Sequence, residues 1–248
     1  MIKEVAGLLR RAEIAMALTG AGISVESGIP AFRGAQGLWE RYDPAEYASI
    51  EAFRSDPCKV WDMLKELDEL VMSAQPNPAH QALARLETLG CLSSVVTQNI
   101  DGLHQAAGSR HVVEFHGSGR RLRCLNCGRK VRRNEIMLNE MPPRCGCGGL
   151  IKPDVVFFGE PIPERAAMTA FALASSCQVM LVVGTSAIVA PASHLPIMAK
   201  RAGAKVVEIN LEPSQLSQGV SDYLIQANAS QALSELVAEV EALEGPAE

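Results

Sequence analysis

Cys124, Cys127, Cys145 and Cys147 bring four thiols into 24 residues, as C-x-x-C, a 17-residue spacer and C-x-C. Thiolates spaced this way can reach one tetrahedral Zn²⁺. Gly146, Gly148 and Gly149 give the tight C-x-C half the backbone freedom it needs. The pattern offers no further ligand and no open position, so it reads as a structural site rather than a catalytic one.

The remaining chemistry is polar and sits where apolar runs end. Gly20-Ala21-Gly22, with Gly28 beyond, follows the run Ile14–Leu18. Glycines here let a backbone approach a pyrophosphate at a helix N-terminus, or simply form a turn. Val25 stands at the third glycine position of G-x-G-x-x-G, and no acid lies at the usual distance to hold a ribose, which argues against a dehydrogenase. Gly184-Thr185-Ser186 and Asn210 end two further apolar runs, where parallel strands meet ligands. Arg33, in the loop after Gly28 stiffened by Pro30 and ended by Gly34, could meet a phosphate bidentately. Gln98-Asn99-Ile100-Asp101 either recognises the carboxamide and ribose of a nicotinamide nucleotide or caps a helix beginning at Gly102. His116, closing an apolar run, is a candidate general base, with a structural role as the alternative. His104 competes with it from within a helical turn. His80, His111 and His194 have no chemistry beside them in the sequence.

These residues need a scaffold. Apolar runs predict strands at 14–18, 93–98, 112–116, 155–158, 179–184 and 205–209. Helical periodicity predicts helices at 2–12, 51–73 after Pro57, 79–89, 164–175, 193–202 and 230–243, with 34–50 irregular. The alternation predicts a mostly parallel sheet. The cysteine segment interrupts it and reads as an insertion.

The chain of 248 residues is 48% hydrophobic with net charge −5, enough for a large core. No apolar run reaches membrane-spanning length, and the start carries charge instead of an apolar leader. Cys58, Cys91 and Cys177 lie in apolar contexts and fit reduced thiols in the cytoplasm. Residues 110–144 carry nine Lys/Arg against three Glu. That patch reads as a solvated face, or as a binder of nucleic acid or acidic protein; no aromatics interleave for base stacking.

The strings TGAGISVESGIPAFRG (19–34), TQNIDGLH (97–104), HG (116–117), KPDVVFFGE (152–160), GTS (184–186) and IN (209–210), with the paired cysteines, resemble the sirtuin family of NAD-dependent protein deacylases. The resemblance implies an α/β fold. A Rossmann-like parallel sheet would form from 1–33, 79–116 and 154–248, with a helical insertion at 34–78 and a zinc module at 117–153. It implies that Gly20, Ala21, Gly22, Arg33, Gln98, Gly184, Thr185, Ser186, Asn210 and Glu212 hold NAD, and that Asn99, Ile100 and Asp101 form the nicotinamide pocket. Asn99 would orient a ribose and a water, and His116 would be the base. An acyl-lysine substrate would add as a strand between Val156–Glu160, including Gly159, and the segment at Val189, with Val156 and Phe158 walling the lysine. Leu64 and Leu67 stand where family members preferring succinyl chains carry Tyr and Arg, so uncharged acyl groups are expected. A mono-ADP-ribosyltransferase on the same fold and an NAD-sensing nucleic-acid module are the alternative functions. A monomer needing no nucleic acid and no membrane is expected.

Overall fold

Along β1 (Ala15–Thr19), Ala15 and Ala17 face one hydrophobic layer while Met16 and Leu18 face another, and all five residues are buried. Only a strand covered on both sides reads this way, which is why its sequence is a continuous apolar run. A computed structural model gives the architecture and describes residues 1–33, 37–135 and 141–243. Gly34, at the end of the arginine loop, lies outside the described residues.

The chain begins with α1 (Ile2–Arg11) and β1, then a 3-10 turn at Ala21–Ser27. Four helices follow, α2 (Leu38–Arg41), α3 (Pro44–Tyr47), α4 (Ile50–Ser55) and α5 (Pro57–Ser73). The sheet resumes through α6 (Pro78–Thr88), β2 (Ser94–Thr97), α7 (Leu103–Ala106) and β3 (Val112–Glu114). Next come β4 (Gly117–Cys124), β5 (Lys130–Arg132) and β6 (Ile151–Val155). The chain closes with α8 (Glu164–Ser176), β7 (Val179–Val183), α9 (His194–Arg201), β8 (Lys205–Asn210), β9 (Tyr223–Gln226) and α10 (Ala229–Ala242).

Six strands form one parallel sheet in the order β3-β2-β1-β7-β8-β9. Chain order reverses between β1 and β7, and such a switch point opens a crevice at the strands' carboxyl ends. Helices α1, α6 and α10 cover one face through Leu9, Leu83, Leu86, Leu233 and Leu236. Helices α8 and α9 cover the other through Ala170, Ala174, Leu195 and Ala199. The fold is Rossmann-like, as expected, with β9 as a strand that periodicity did not reveal.

The insertions hold further structure. The segment expected to be irregular contains α2 and α3, and residues 50–73 form two helices. Asp56 caps α5, accepting from Lys59 N–H at 3.0 Å, and Pro57 at its first turn restarts the helix after α4. The cysteine segment is a second sheet, β5-β4-β6, antiparallel throughout. Strand β6 starts at Ile151, earlier than the extended run expected at 155–158, and ends at Val155. The two insertions share one core, with Phe53, Val60 and Trp61 packed against Leu122, Ile151 and Phe157. Trp61 is 2% exposed and its indole N–H donates to Ile151 C=O at 3.0 Å.

Candidate active site

The carboxyl ends of β1, β2, β7 and β8 open into a cleft of about 1120 Å³, closed on its other side by the shared core of the insertions. Every residue proposed above to hold nucleotide or peptide lines this cleft except Asp101.

Its floor is set by backbone contact. Gly22 N–H donates to Gly184 C=O at 2.8 Å, and a Cβ on Gly22 would lie 2.7 Å from Gly184 Cα. Gly184 has φ +59°, and its own Cβ would lie 2.4 Å from Ile23 N. The two glycine turns therefore interlock. Their sequence requirement comes from each other's backbone as well as from any phosphate. Thr185, beside them, accepts at Oγ1 from Gln98 Nε2 at 3.0 Å, and its carbonyl accepts from Asn210 Nδ2 at 3.1 Å. Polar groups from β2, β7 and β8 are thus fixed to one another before any ligand arrives.

Asn210 is held from below by Glu208, a fully buried carboxylate. Glu208 Oε1 accepts from Asn210 Nδ2 and Ser214 N–H, and Oε2 from Ser217 and Ser221 hydroxyls, at 2.7–3.1 Å. Burial opposes its ionisation, but these donors win and hold the carboxyl below its ordinary range.

A buried polar network backs the other end. Asp101 Oδ2 accepts from Ser24 Oγ at 2.8 Å and Oδ1 from Leu103 N–H at 2.9 Å. Asn99 Nδ2 donates to Ser24 Oγ at 3.0 Å and to Gly20 C=O at 3.2 Å. Asp101 therefore acts on the cleft through Ser24 and Asn99 and sits behind the wall. Asn77 donates to Ile23 C=O at 2.7 Å and caps α6, while His80 Nε2 lies 3.5 Å from Ser24 Oγ. His80, which had no neighbour in the sequence, is one of the network's central groups. Burial pushes His80 down to about 4 against the pull of Asp101, and pushes His104 down to about 3 with help from His80. His104 Nε2 bonds Thr19 Oγ1 at 2.9 Å behind the sheet and does not line the cleft.

His116 does line it. Its Nδ1 lies 3.1 Å from Gln98 C=O, an oxygen that can only accept, so Nδ1 carries the proton and Nε2 keeps its lone pair. Burial lowers the pKa and the carbonyl contact opposes this, which leaves a neutral imidazole near pH 7.

Val156, Phe157 and Phe158 all line the cleft; Phe158 is exposed there and Val156 half-buried, while the buried Phe157 also packs against Phe53 with ring centroids 5.7 Å apart. Residues 48–50 already bond this segment: Phe158 N–H donates to Ala48 C=O at 2.8 Å and its C=O accepts from Ile50 N–H at 3.0 Å. Phe157 bonds Glu160 through both backbone groups. Within residues 156–160, the backbone groups left open are the carbonyls of Val156 and Glu160 and both groups of Gly159. Leu64, Leu67 and Met63 on α5 line the cleft beyond them. Ser214, Gln215 and Asn228 also line it and had no signal in the sequence. Asn228 follows β9, so missing that strand hid the residue.

The four cysteine sulfurs lie within 4.8 Å of one another, with Cys124–Cys147 at 3.6 Å and Cys127–Cys145 at 3.8 Å. Sulfurs around one tetrahedral Zn²⁺ at about 2.3 Å sit about 3.8 Å apart, so the donor set and spacing fit the ion. Part of the basic charge of this module is satisfied by ion pairs. Arg121 pairs with Glu114 at 2.8 Å, Lys130 with Asp154 at 2.8 Å, Arg123 with Glu160 at 3.0 Å and Arg133 with Asp68 at 2.8 Å.

A doubly wound sheet with a nucleotide-type cleft at its switch point, roofed by a four-thiolate module, defines a class of dinucleotide-using α/β proteins with a structural metal. The chain belongs to the Sir2 family, whose model matches residues 20–191. NAD-dependent protein deacylase 2 of Pyrobaculum aerophilum is 52% identical, over 95% of this chain and 94% of its own. The NAD-dependent protein deacylase of Pyrococcus furiosus is 46% identical, over 97% and 98%. A mutant Sir2 homologue solved with ADP-ribose superposes with a TM-score of 0.95 at 41% identity, with both chains fully covered.

Proposed function

We infer that this protein is an NAD-dependent protein-lysine deacylase that transfers the acyl group to ADP-ribose and releases nicotinamide. The observation that carries the reading is His116 Nε2, a free lone pair in a cleft walled on one side by the interlocked glycine turns and on the other by Val156 and Phe158.

Gly20, Ala21, Gly22, Arg33, Gln98, Thr185, Ser186 and Asn210 hold the dinucleotide. Gly184 sets the turn, and Glu212 stands at the rim. NAD, when bound, supplies the glycosidic bond whose cleavage frees nicotinamide and the ADP-ribose that accepts the acyl group. Asn99 and Ile100 bound the nicotinamide end, with Asn99 oriented by Ser24 and Asp101 from behind. His116 takes a proton at Nε2 from the attacking hydroxyl, while Gln98 C=O keeps Nδ1–H in place. The acylated peptide adds its backbone to Gly159 and Val156 C=O, facing the segment at Val189. Val156, Phe158, Met63 and Leu64 exclude water from the acyl carbon. Zn²⁺ held by Cys124, Cys127, Cys145 and Cys147 supplies folding free energy to the small sheet and takes no part in the chemistry.

Two features favour this reading over its rivals. Ion pairs engage Arg121, Arg123, Lys130 and Arg133 of the zinc module, which lowers the positive charge available to nucleic acid. The apolar wall continuous with Val156 suits an aliphatic lysine stem, which a mono-ADP-ribosyltransferase would not need. The three thiols outside the zinc site, Cys58, Cys91 and Cys177, are not in disulfides and favour a reducing compartment such as the cytoplasm. Incubation with NAD and an acetyl-lysine peptide tests the reading: nicotinamide, free lysine peptide and O-acetyl-ADP-ribose should appear in equal amounts. His116→Ala should lower turnover at least about a hundredfold, the scale of a lost general base, with NAD still bound. ADP-ribose attached to protein, without O-acetyl-ADP-ribose, would refute it.

A further inference from the structure

Lys152 is fully buried, which is rare for lysine unless its charge is answered. Here all three protons of the ammonium have acceptors. Nζ bonds Glu160 Oε2 at 2.9 Å, Pro153 C=O at 3.1 Å and Val155 C=O at 2.5 Å. It also sits 4.3 Å from the centre of the Phe157 ring. Glu160 is shared in turn: Oε2 also accepts from Phe157 N–H at 3.0 Å, and Oε1 from Arg123 Nη2 at 3.0 Å.

The geometry makes one closed loop. Lys152 lies on β6, and Glu160 lies eight residues on, past the turn that carries Val156, Phe158 and Gly159. The ion pair joins the two ends of that turn. Inside it, Lys152 ties down the carbonyls of Pro153 and Val155, and Glu160 ties down both backbone groups of Phe157. What remains untied is the Val156 carbonyl, the Glu160 carbonyl at the turn's end, and Gly159, which has φ +87° and is exposed. The buried pair thus sets which groups of the turn are spent internally and which face the cleft.

We propose that Lys152 is a positioning residue for the acylated peptide, its buried ammonium closing the turn 153–160 so that Gly159 and Val156 C=O are presented as a preformed strand edge. The proposal rests on the reading of this turn as the peptide-binding edge. Lys152 is fully buried and not among the groups that line the cleft, so it acts through Glu160 and the turn rather than by touching substrate. Its effect should fall on peptide recognition and spare the dinucleotide, which is held on the far wall by β1, β7 and β8.

The test is Lys152→Met, which keeps the stem and removes the ammonium, with Lys152→Gln as a second variant. Far-ultraviolet circular dichroism and one zinc per chain establish folding. NAD affinity is measured by calorimetry, and KM and kcat with an acetyl-lysine peptide. The expected result is a rise of fivefold or more in peptide KM, with NAD affinity within twofold and kcat within threefold. If Lys152→Met fails to fold, Lys152→Gln carries the same expectation. A folded variant with peptide KM raised less than fivefold, or with NAD affinity weakened as much as the peptide's, would overturn the proposal. So would failure of both variants to fold, which would make the pair a folding element. Absence of peptide turnover by the wild type would overturn the deacylase reading as well; turnover by the wild type with an unmoved variant overturns the role of Lys152 alone.

Discussion

A carboxylate on the acyl chain is the sharpest probe of this cleft. The wall beyond Val156 is built from Met63, Leu64 and Leu67, and Leu64 is only 9% exposed. Among the described residues lining the cleft, Arg33 is the only permanent cation, and it lies on the nucleotide side; Glu26, Glu160 and Glu212 are acidic. Arg41 is already engaged by Glu66 at 2.7 Å. A succinyl carboxylate would therefore leave water without an ionic partner, whereas an acetyl methyl would gain from the same burial. Full burial of an unpaired charge costs far more than a neutral polar group, and even a partial penalty of about 3 kcal/mol lowers kcat/KM by more than about a hundredfold, at about 1.4 kcal/mol per decade. Acetyl- and succinyl-lysine versions of one peptide, compared by nicotinamide release, should differ by at least that factor in favour of acetyl. The double substitution Leu64→Tyr with Leu67→Arg should narrow the gap by supplying a hydroxyl and a guanidinium. Equal efficiencies in the unmodified protein would refute the reasoning and show that Arg33, or Arg41 released from Glu66, reaches the acyl end.

Zinc removal or Cys124→Ser should disorder β4–β6, because structural zinc contributes roughly 10–16 kcal/mol in comparable small modules; metal analysis should give one zinc per chain, and proteolysis should then open residues 117–155. Acid should destabilise the protein through its buried histidines: His80 and His104 titrate at about 4 and about 3 in the fold, below the unfolded value near 6.5. The unfolded chain thus takes up protons first as pH drops, and stability is whole above about pH 6.5 and lost towards pH 4 and below. At pH 5 the loss is about 2 kcal/mol for each of the two, and His116 adds in the same direction; denaturant midpoints at pH 7.5 and 5.0 measure it, and a flat profile would contradict the burial of these rings. Glu208→Gln should weaken NAD binding by roughly tenfold, the scale of one charge-assisted hydrogen bond lost beneath Asn210; unchanged NAD affinity by calorimetry would show that Asn210 holds its place without it.

The central sheet was legible because β1, β2, β7 and β8 are buried strands, unbroken apolar runs in β1 and β7 and Val/Ile-rich in β2 and β8, where Glu208 is a charged residue inside the run. Strand β9 was not, since Tyr223–Gln226 is a four-residue edge strand, half exposed and without alternation. The strands of the zinc module were hidden for a different reason. Arg121, Arg123 and Lys130 read as a solvated basic run, and only the fold brings Glu114, Asp154 and Glu160 beside them. The residues that line the cleft could be named from strand ends, because parallel strands deliver their carboxyl ends to one crevice. What positions those residues could not be named. Ser24, Asn77, His80 and Asp101 meet across separations of more than fifty residues, and each is an ordinary polar residue until the others arrive.

The common core of the two insertions has a consequence for anyone who would re-engineer this chain. Phe53 and Trp61 come from one segment, Leu122, Ile151 and Phe157 from another, and the sequence between them belongs to the sheet. Neither segment can be lifted out alone with its hydrophobic face intact. A chimaera that imports only α4 and α5 from a relative, to change acyl preference, would set a foreign surface against β4 and β6. One that imports only the cysteine segment would strand Trp61 without Ile151. The unit of exchange is therefore discontinuous, residues 38–73 together with 117–157, and grafts that respect it should keep their solubility where single-segment grafts lose it.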